Sequence, residues 1–330
     1  MRAAWYERKG PAGEVLEVGE MDTPDPGAGE VRIRIEFSGV NPGDVKKRDG
    51  WLGSPMPYPR VIPHSDGAGV IDAVGDGVDD ARIGERVWVY GAQSYRAFGT
   101  SAEAVVLPQE LAVRLPDSVA AEVGASLGIP GITAHRAVFV DGPVEDKIVL
   151  VHGVLGAVSS LAAQLAHWGG ARVIGTVRRA DDLSGTDEAR VPFPVVALDT
   201  EDPAAEIRSV AGDEVERIVD VALAANIDLD ASLVAQGAVI ATYASPADRT
   251  EIPFWQLLFQ NTTLRLLGSD DFPAEAKAAA AGDLTSAAAE GALRIPVAPP
   301  FELERIASAH ETVDAGSPGG RVVVHVAALP

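Results

Sequence analysis

Val149-Leu150-Val151-His152-Gly153-Val154-Leu155-Gly156-Ala157-Val158-Ser159 sets the architecture of this 330-residue chain. Lys147–Val151 is a short apolar run of strand formers, and a helical run follows to about Trp168. The glycines therefore fall where a strand turns into a helix. Gly153 permits a tight turn. Gly156 lets an anionic group approach the helix N-terminus, where unpaired N–H groups and the helix dipole favour negative charge. Ser159 stands where a third glycine would allow close helix–sheet packing; it is small enough to be tolerated, but the pattern is weakened. Alone, the glycine pair fits a structural turn as well as a dinucleotide site.

The residues downstream shift that balance. Arg172–Val177 reads as the next strand and ends in Arg178-Arg179, about twenty residues beyond the glycines, where such a strand reaches the adenosine ribose. An acidic residue there would bind the 2′-hydroxyl of NAD. A guanidinium instead matches the 2′-phosphate of NADP by charge and bidentate geometry. The pair favours NADPH, against the blander reading of two arginines on a solvated turn. Arg217–Ala222 and Ala238–Tyr243 supply further strands, separated by the helical stretch Ile227–Val234. Strands alternating with helices predict an α/β fold with a doubly wound parallel sheet. Arg178–Pro194, with Asp181, Asp182, Gly185 and two prolines, shows no helical stripe, so the second crossover helix is expected to be short or missing.

Residues 1–120 read as a separate β-rich domain. Val31–Phe37 alternates as a half-buried strand, and Gly69–Val74, Arg86–Tyr90 and Ala102–Leu107 are further candidates. Thr23–Gly29 and Gly50–Pro63 punctuate them as fixed loops. The parallel-sheet domain is expected over 121–267. Residues 268–330, with helices at Pro273–Glu290 and Leu303–Ala315 and a strand at Arg321–Val326, are free to return to the first domain.

Hydrophobic residues make up 47% of the chain, enough for two real cores, and 48 acidic against 27 basic residues give a net charge of −21. That charge argues against nucleic acid and anionic membranes as partners. A phosphorylated cofactor needs only local positive charge, so the placement of each arginine is informative. There is no cysteine, which removes thiolate catalysis and cysteine-ligated zinc together. No apolar run is long enough to span a bilayer, and a cytoplasmic protein is expected.

Other chemistry finds little support. No HExxH or Gly-x-Ser-x-Gly pattern occurs, and His64 with Asp44 and Asp66 matches no metal spacing. Asn41, after Gly39-Val40 and before Pro42-Gly43-Asp44, can either position a substrate carbonyl or nicotinamide ribose, or cap a helix. Its replacement by alanine impairs hydride transfer on the first reading and lowers the melting temperature on the second. Thr133 lies near the domain junction and can touch cofactor or cap a helix.

Several segments together resemble the medium-chain dehydrogenase/reductase superfamily, in its zinc-free quinone oxidoreductase and zeta-crystallin-like branch. They are Ser38-Gly39-Val40-Asn41-Pro42-Gly43-Asp44, Pro63-His64-Ser65-Asp66-Gly67-Ala68-Gly69-Val70, Leu127-Gly128-Ile129-Pro130-Gly131-Ile132-Thr133 leading to the glycine turn, and Val219-Asp220-Val221-Ala222. The resemblance spans nearly the whole chain. It implies a GroES-like catalytic domain interrupted by a Rossmann domain, a site in the cleft between them, and a homodimer. It also implies NADPH as cofactor and a quinone or α,β-unsaturated carbonyl as acceptor. Against zinc-dependent relatives, Asn41 and Leu127 stand at cysteine positions and Ser65 at a histidine position, while His64 is one residue out of register. Lys46 replaces a tyrosine of some quinone reductases. The expected catalytic residue is Asn41. The expected cofactor set is Asn41, Thr133, Gly153, Val154, Leu155, Gly156, Ala157, Val158, Thr176, Arg178, Arg179, Ala222 and Tyr243. Rival expectations are an enoyl- or haloacrylate-type alkene reductase, and a nonenzymatic NADPH-binding structural or regulatory protein.

Overall fold

The structure, a computed structural model, describes residues 1–316 and 319–328. Ile148–Val151 forms a strand whose four residues are all buried. A strand covered on both faces carries a continuous apolar run rather than an alternation. It lies parallel to Arg172–Val177 on one side and to Val215–Asp220 on the other. Val195–Ala197 extends the sheet beyond the first neighbour, and Val234–Thr242 then Thr263–Leu266 extend it beyond the second, all in parallel. The six strands thus run third, second, first, fourth, fifth, sixth in chain order. This is the doubly wound Rossmann arrangement, with its reversal point between the first and fourth strands. Leu150, Ile174, Ile218 and Ile240 meet Ile227 of the crossover helix Leu223–Leu233 in one core. Each such side chain, fully buried, contributes on the order of 1.5–3 kcal/mol. Between the second and third strands there is only a short 3₁₀ segment, Ala180–Gly185, where the crossover helix is expected to be short or missing.

In the β-rich part, Val31, Ile33 and Ile35 of strand Glu30–Gly39 are fully buried and alternate with half-exposed arginines. This strand pairs antiparallel with Asp66–Val74 and with Ala104–Pro108. Arg86–Val89 and Ala112–Arg114 continue the sheet. The late strand Val323–His325 pairs antiparallel with Phe37–Gly39, so the chain does return to this sheet. The fold is α/β, with a GroES-like N-terminal domain and a parallel Rossmann sheet.

The two compact units are Met1–Pro130 with Ile295–Pro330, and Gly131–Arg294. These bounds differ from the expected 120 and 267. Helix Ala274–Ala289 stays with the parallel sheet's unit because its side chains are anchored there. A Cβ on Gly131 would come within 2.9 Å of the Leu284 methyls, so any larger residue would have to displace that side chain. His135 Nε2 lies 2.8 Å from Asp283 Oδ2, and Trp168 Nε1 donates to Glu290 Oε2 at 2.8 Å. Among the described residues, no helix is long and apolar enough to cross a membrane.

Candidate cofactor and active site

Ligands of doubly wound sheets bind outside the carboxyl ends of the strands, at the reversal point. The first strand ends there in the glycine turn. Gly153 has φ +68°, a left-handed conformation that side-chain-bearing residues rarely adopt. The neighbouring strand holds the turn: Val154 N donates to Thr176 O at 3.0 Å, and Gly153 N lies 3.3 Å from Thr176 Oγ1. Gly156 caps helix Ala157–Trp168 without a side chain, and both Gly156 and Ala157 are exposed. The first-turn N–H groups of a helix have no intrahelical acceptor. An exposed, uncapped N-terminus behind a left-handed glycine fits a pyrophosphate, and Leu155 and Val158 flank it half-buried.

Ser159 gives the weakened third position a physical account. It is buried, and its Oγ lies 2.7 Å from the Tyr243 hydroxyl at the end of the fifth strand. Burial pushes the Tyr243 pKa up, so this pair is a neutral hydrogen bond. Thr176 is also buried, and its hydroxyl is shared between Gly153 N and His152 Nδ1, so it braces the turn from inside. His152 Nε2 lies 2.8 Å from Asp230 Oδ1. Burial opposes a charge on His152, but the Asp230 carboxylate outweighs it and the imidazole pKa rises. Ala222 N donates to Asp220 Oδ1 at 2.8 Å, which fixes the carboxyl end of the fourth strand.

Arg178 and Arg179 follow the second strand, and both are exposed. Arg179 Nη2 lies 3.7 Å from Asp182 Oδ1, whereas Arg178 forms no ion pair among the described residues. Thr133 is buried within helix Gly128–Phe139. Thr133, the glycine turn, the arginines, Ala222 and Tyr243 belong to the Rossmann unit; Asn41 belongs to the other.

Asn41 is the N-cap of helix Pro42–Asp49, with its backbone N donating to Asp44 Oδ2 at 2.8 Å. Its side chain is only 2% exposed. Nδ2 donates to Asp66 Oδ2 at 2.7 Å, and Oδ1 accepts from Arg321 Nη2 at 2.9 Å. Asp66 Oδ1 also accepts from Ile129 N at 2.8 Å. Asn41 thus stands at the helix N-cap with its side chain engaged by Asp66 and Arg321, and an alanine here should disturb the fold. Asp66 lies in the Pro63–Val70 segment and Arg321 opens the last expected strand, and neither is a candidate partner of Asn41 from sequence. Their sequence separation hides the contact.

Burial, then the nearby Asp66 carboxylate, pushes Asp44 up to about 7, against the opposing influence of Lys47, the Asn41 N–H and Arg321. A carboxyl whose folded pKa exceeds its unfolded value contributes stability that is complete below about pH 4 and lost as pH rises through about 7. Asp44→Asn should therefore melt close to the wild type at pH 4 and roughly 2–6 °C above it at pH 8. Calorimetry at both pH values checks this, and parallel profiles for the two proteins would refute it.

Asn41, Ser65 and Leu127, which the resemblance sets at zinc-ligand positions, are an amide, a hydroxyl and an alkyl side chain. His64 has both nitrogens engaged, Nδ1 with Ser38 and Ser101 at 2.8 and 2.7 Å and Nε2 with His310 at 2.9 Å. Among the described residues, no group of three or more His, Asp or Glu could hold a metal ion.

Residues 27–117 match the alcohol dehydrogenase GroES-like domain, and residues 194–324 match a family described as zinc-binding dehydrogenase. The human protein named quinone oxidoreductase is 28% identical over 324 residues, covering 94% of this chain and 93% of its own length. A mycobacterial quinone oxidoreductase structure superposes with a TM-score of 0.85 at 27% identity, over 99% of this chain and all of its own. Another mycobacterial structure, solved with NADPH, does so with a TM-score of 0.78 at 26% identity, covering 98% of both chains. With the GroES-like sheet, the Rossmann strand order and the glycine turn, these likenesses place the chain in the medium-chain dehydrogenase/reductase superfamily, on its cysteine-free quinone-oxidoreductase branch.

Proposed function

We propose that this protein is an NADPH-dependent reductase of quinones and α,β-unsaturated carbonyl compounds. The observation that carries the reading is the exposed Arg178, without an ion-pair partner among the described residues, at the carboxyl end of the strand beside an open glycine turn. The human relative's name and the NADPH bound to the mycobacterial structure support it.

Bound NADPH supplies a hydride from its nicotinamide ring. The segment Gly153–Val158 holds the pyrophosphate through backbone N–H groups. Arg178 takes the 2′-phosphate, with Arg179 held behind it by Asp182. Ala222 and Tyr243 border the cofactor at the ends of their strands. Thr133 and Asn41 are the nicotinamide-side candidates. After bonding Asp66 and Arg321, the Asn41 amide has only its second N–H to offer a ribose hydroxyl or acceptor carbonyl. Quinones and enones are electrophilic enough to accept hydride without a Lewis acid, which suits a chain without cysteine. The product is protonated from solvent, and the protein contributes positioning and exclusion of water.

The acceptor class is tested by NADPH consumption against quinones, enones and acrylates. Turnover on quinones and enones is expected; turnover on acrylates alone would move the chain to the alkene-reductase reading.

We further propose that it works as a homodimer paired through the outer edge of the Rossmann sheet. Thr263–Leu266 is the last strand of that sheet, and an edge strand offers unpaired backbone groups. Beside it in sequence, helix Phe254–Phe259 exposes Trp255 and Phe259, and Leu266 is 74% exposed. A two-fold axis matches such an edge with its own copy. Sedimentation should show a dimer for the wild type and a monomer for Leu266→Arg. A wild-type monomer, or a dimeric variant, would contradict this.

A further inference from the structure

The 178–194 segment, which carries no crossover helix, delivers a third arginine to the cofactor turn. Arg190 is half-buried. Its Nε donates to Ser160 Oγ at 3.0 Å, and its Nη2 donates to the Leu155 carbonyl at 3.0 Å. Leu155 lies inside the glycine turn, and Ser160 lies in the first stretch of the helix behind it. These two neutral oxygens orient the guanidinium without neutralising it. No carboxylate lies within ion-pair distance of Arg190 among the described residues, although the chain carries 48 acidic residues. Asp187 acts on it only from a distance, and burial weighs against its charge. A cation held partly out of water, with donors left over, is costly unless an anion arrives to meet it.

We propose that Arg190 is a phosphate contact of the bound dinucleotide, acting beside the helix N-terminus as a second cation in addition to Arg178. The inference rests on the NADPH reading above. Two phosphates could receive it, the pyrophosphate that NADPH and NADH share and the 2′-phosphate that only NADPH carries. Of its five N–H donors, two are engaged by Leu155 and Ser160, and a phosphate can take a pair of those remaining.

The test is equilibrium titration of the full chain, as wild type, Arg190→Met and Arg190→Lys, with NADPH, NADH and adenosine, beside a thermal melt of each variant. The Met variant should bind NADPH about tenfold more weakly or worse. Adenosine affinity, which involves no phosphate, should be unchanged, and Lys should recover part of the loss by restoring charge. An equal loss for NADH assigns the contact to the pyrophosphate; a loss confined to NADPH assigns it to the 2′-phosphate. Unchanged NADPH affinity in the Met variant would overturn the proposal. So would a loss shared by adenosine and not recovered by Lys, since Arg190 would then merely brace the turn. A wild type that binds neither dinucleotide would overturn the cofactor reading itself, and this inference with it.

Discussion

Arg178→Ala should weaken NADPH binding about 10- to 150-fold and leave NADH within about twofold. The range is the affinity equivalent of one charge-assisted hydrogen bond, roughly 1.5–3 kcal/mol. The residue is exposed at the end of strand Arg172–Val177 and braces nothing among the described residues, so its removal should not disturb the fold. Arg179→Ala should cost less, because Asp182 already shares that guanidinium. Paired titrations with the two cofactors check the expectation. Equal losses for NADPH and NADH would mean that the 2′-phosphate lies elsewhere.

Asn41→Ala should cost about 3–5 kcal/mol of stability, through loss of two buried hydrogen bonds to charged groups. The substitution strips a donor from Asp66 and an acceptor from Arg321, in a place water does not reach. Arg321 already has an unpaired Nε, so its guanidinium has little left to fall back on. A melting temperature about 10 °C lower is expected, together with a turnover loss near tenfold, equivalent to about 1.4 kcal/mol of barrier. Thermal unfolding beside pre-steady-state NADPH oxidation separates the two effects. An unchanged melt would refute the buried network. Unchanged hydride transfer at saturating quinone would confine Asn41 to a structural role.

The elements with strong local signals were legible in the sequence. The apolar run at Ile148–Val151, the helix to Trp168 and the strand Arg172–Val177 stand where periodicity places them. Two strands of the parallel sheet gave no signal. Val195–Ala197 is three residues long and follows two prolines. Thr263–Leu266 is an edge strand with no buried residue, so no apolar pattern marks it. The alanine-rich helix Ala274–Ala289 was legible as a helix but not as part of the Rossmann unit, because the contact of Leu284 with Gly131 is invisible to local pattern.

The candidate site divides the same way. The glycine turn and Arg178 lie on one βαβ unit, where spacing along the chain is spacing in the fold. Asn41, Asp66 and Arg321 meet only after the GroES-like sheet has formed and the chain has returned. Arg190 sits in a segment without periodicity, so nothing local aims it at Leu155. The only hint was its charge in an acidic stretch.

The most direct test of the whole account is a single-turnover reaction of the purified, chelator-treated protein with NADPH and a quinone, with NADH in parallel. Oxidation of NADPH with one equivalent of quinol formed, a much slower reaction with NADH, and no change in rate on chelation are expected. NADPH that binds but is not oxidised by any quinone or enone would contradict it, as would activity that disappears on chelation and returns with zinc.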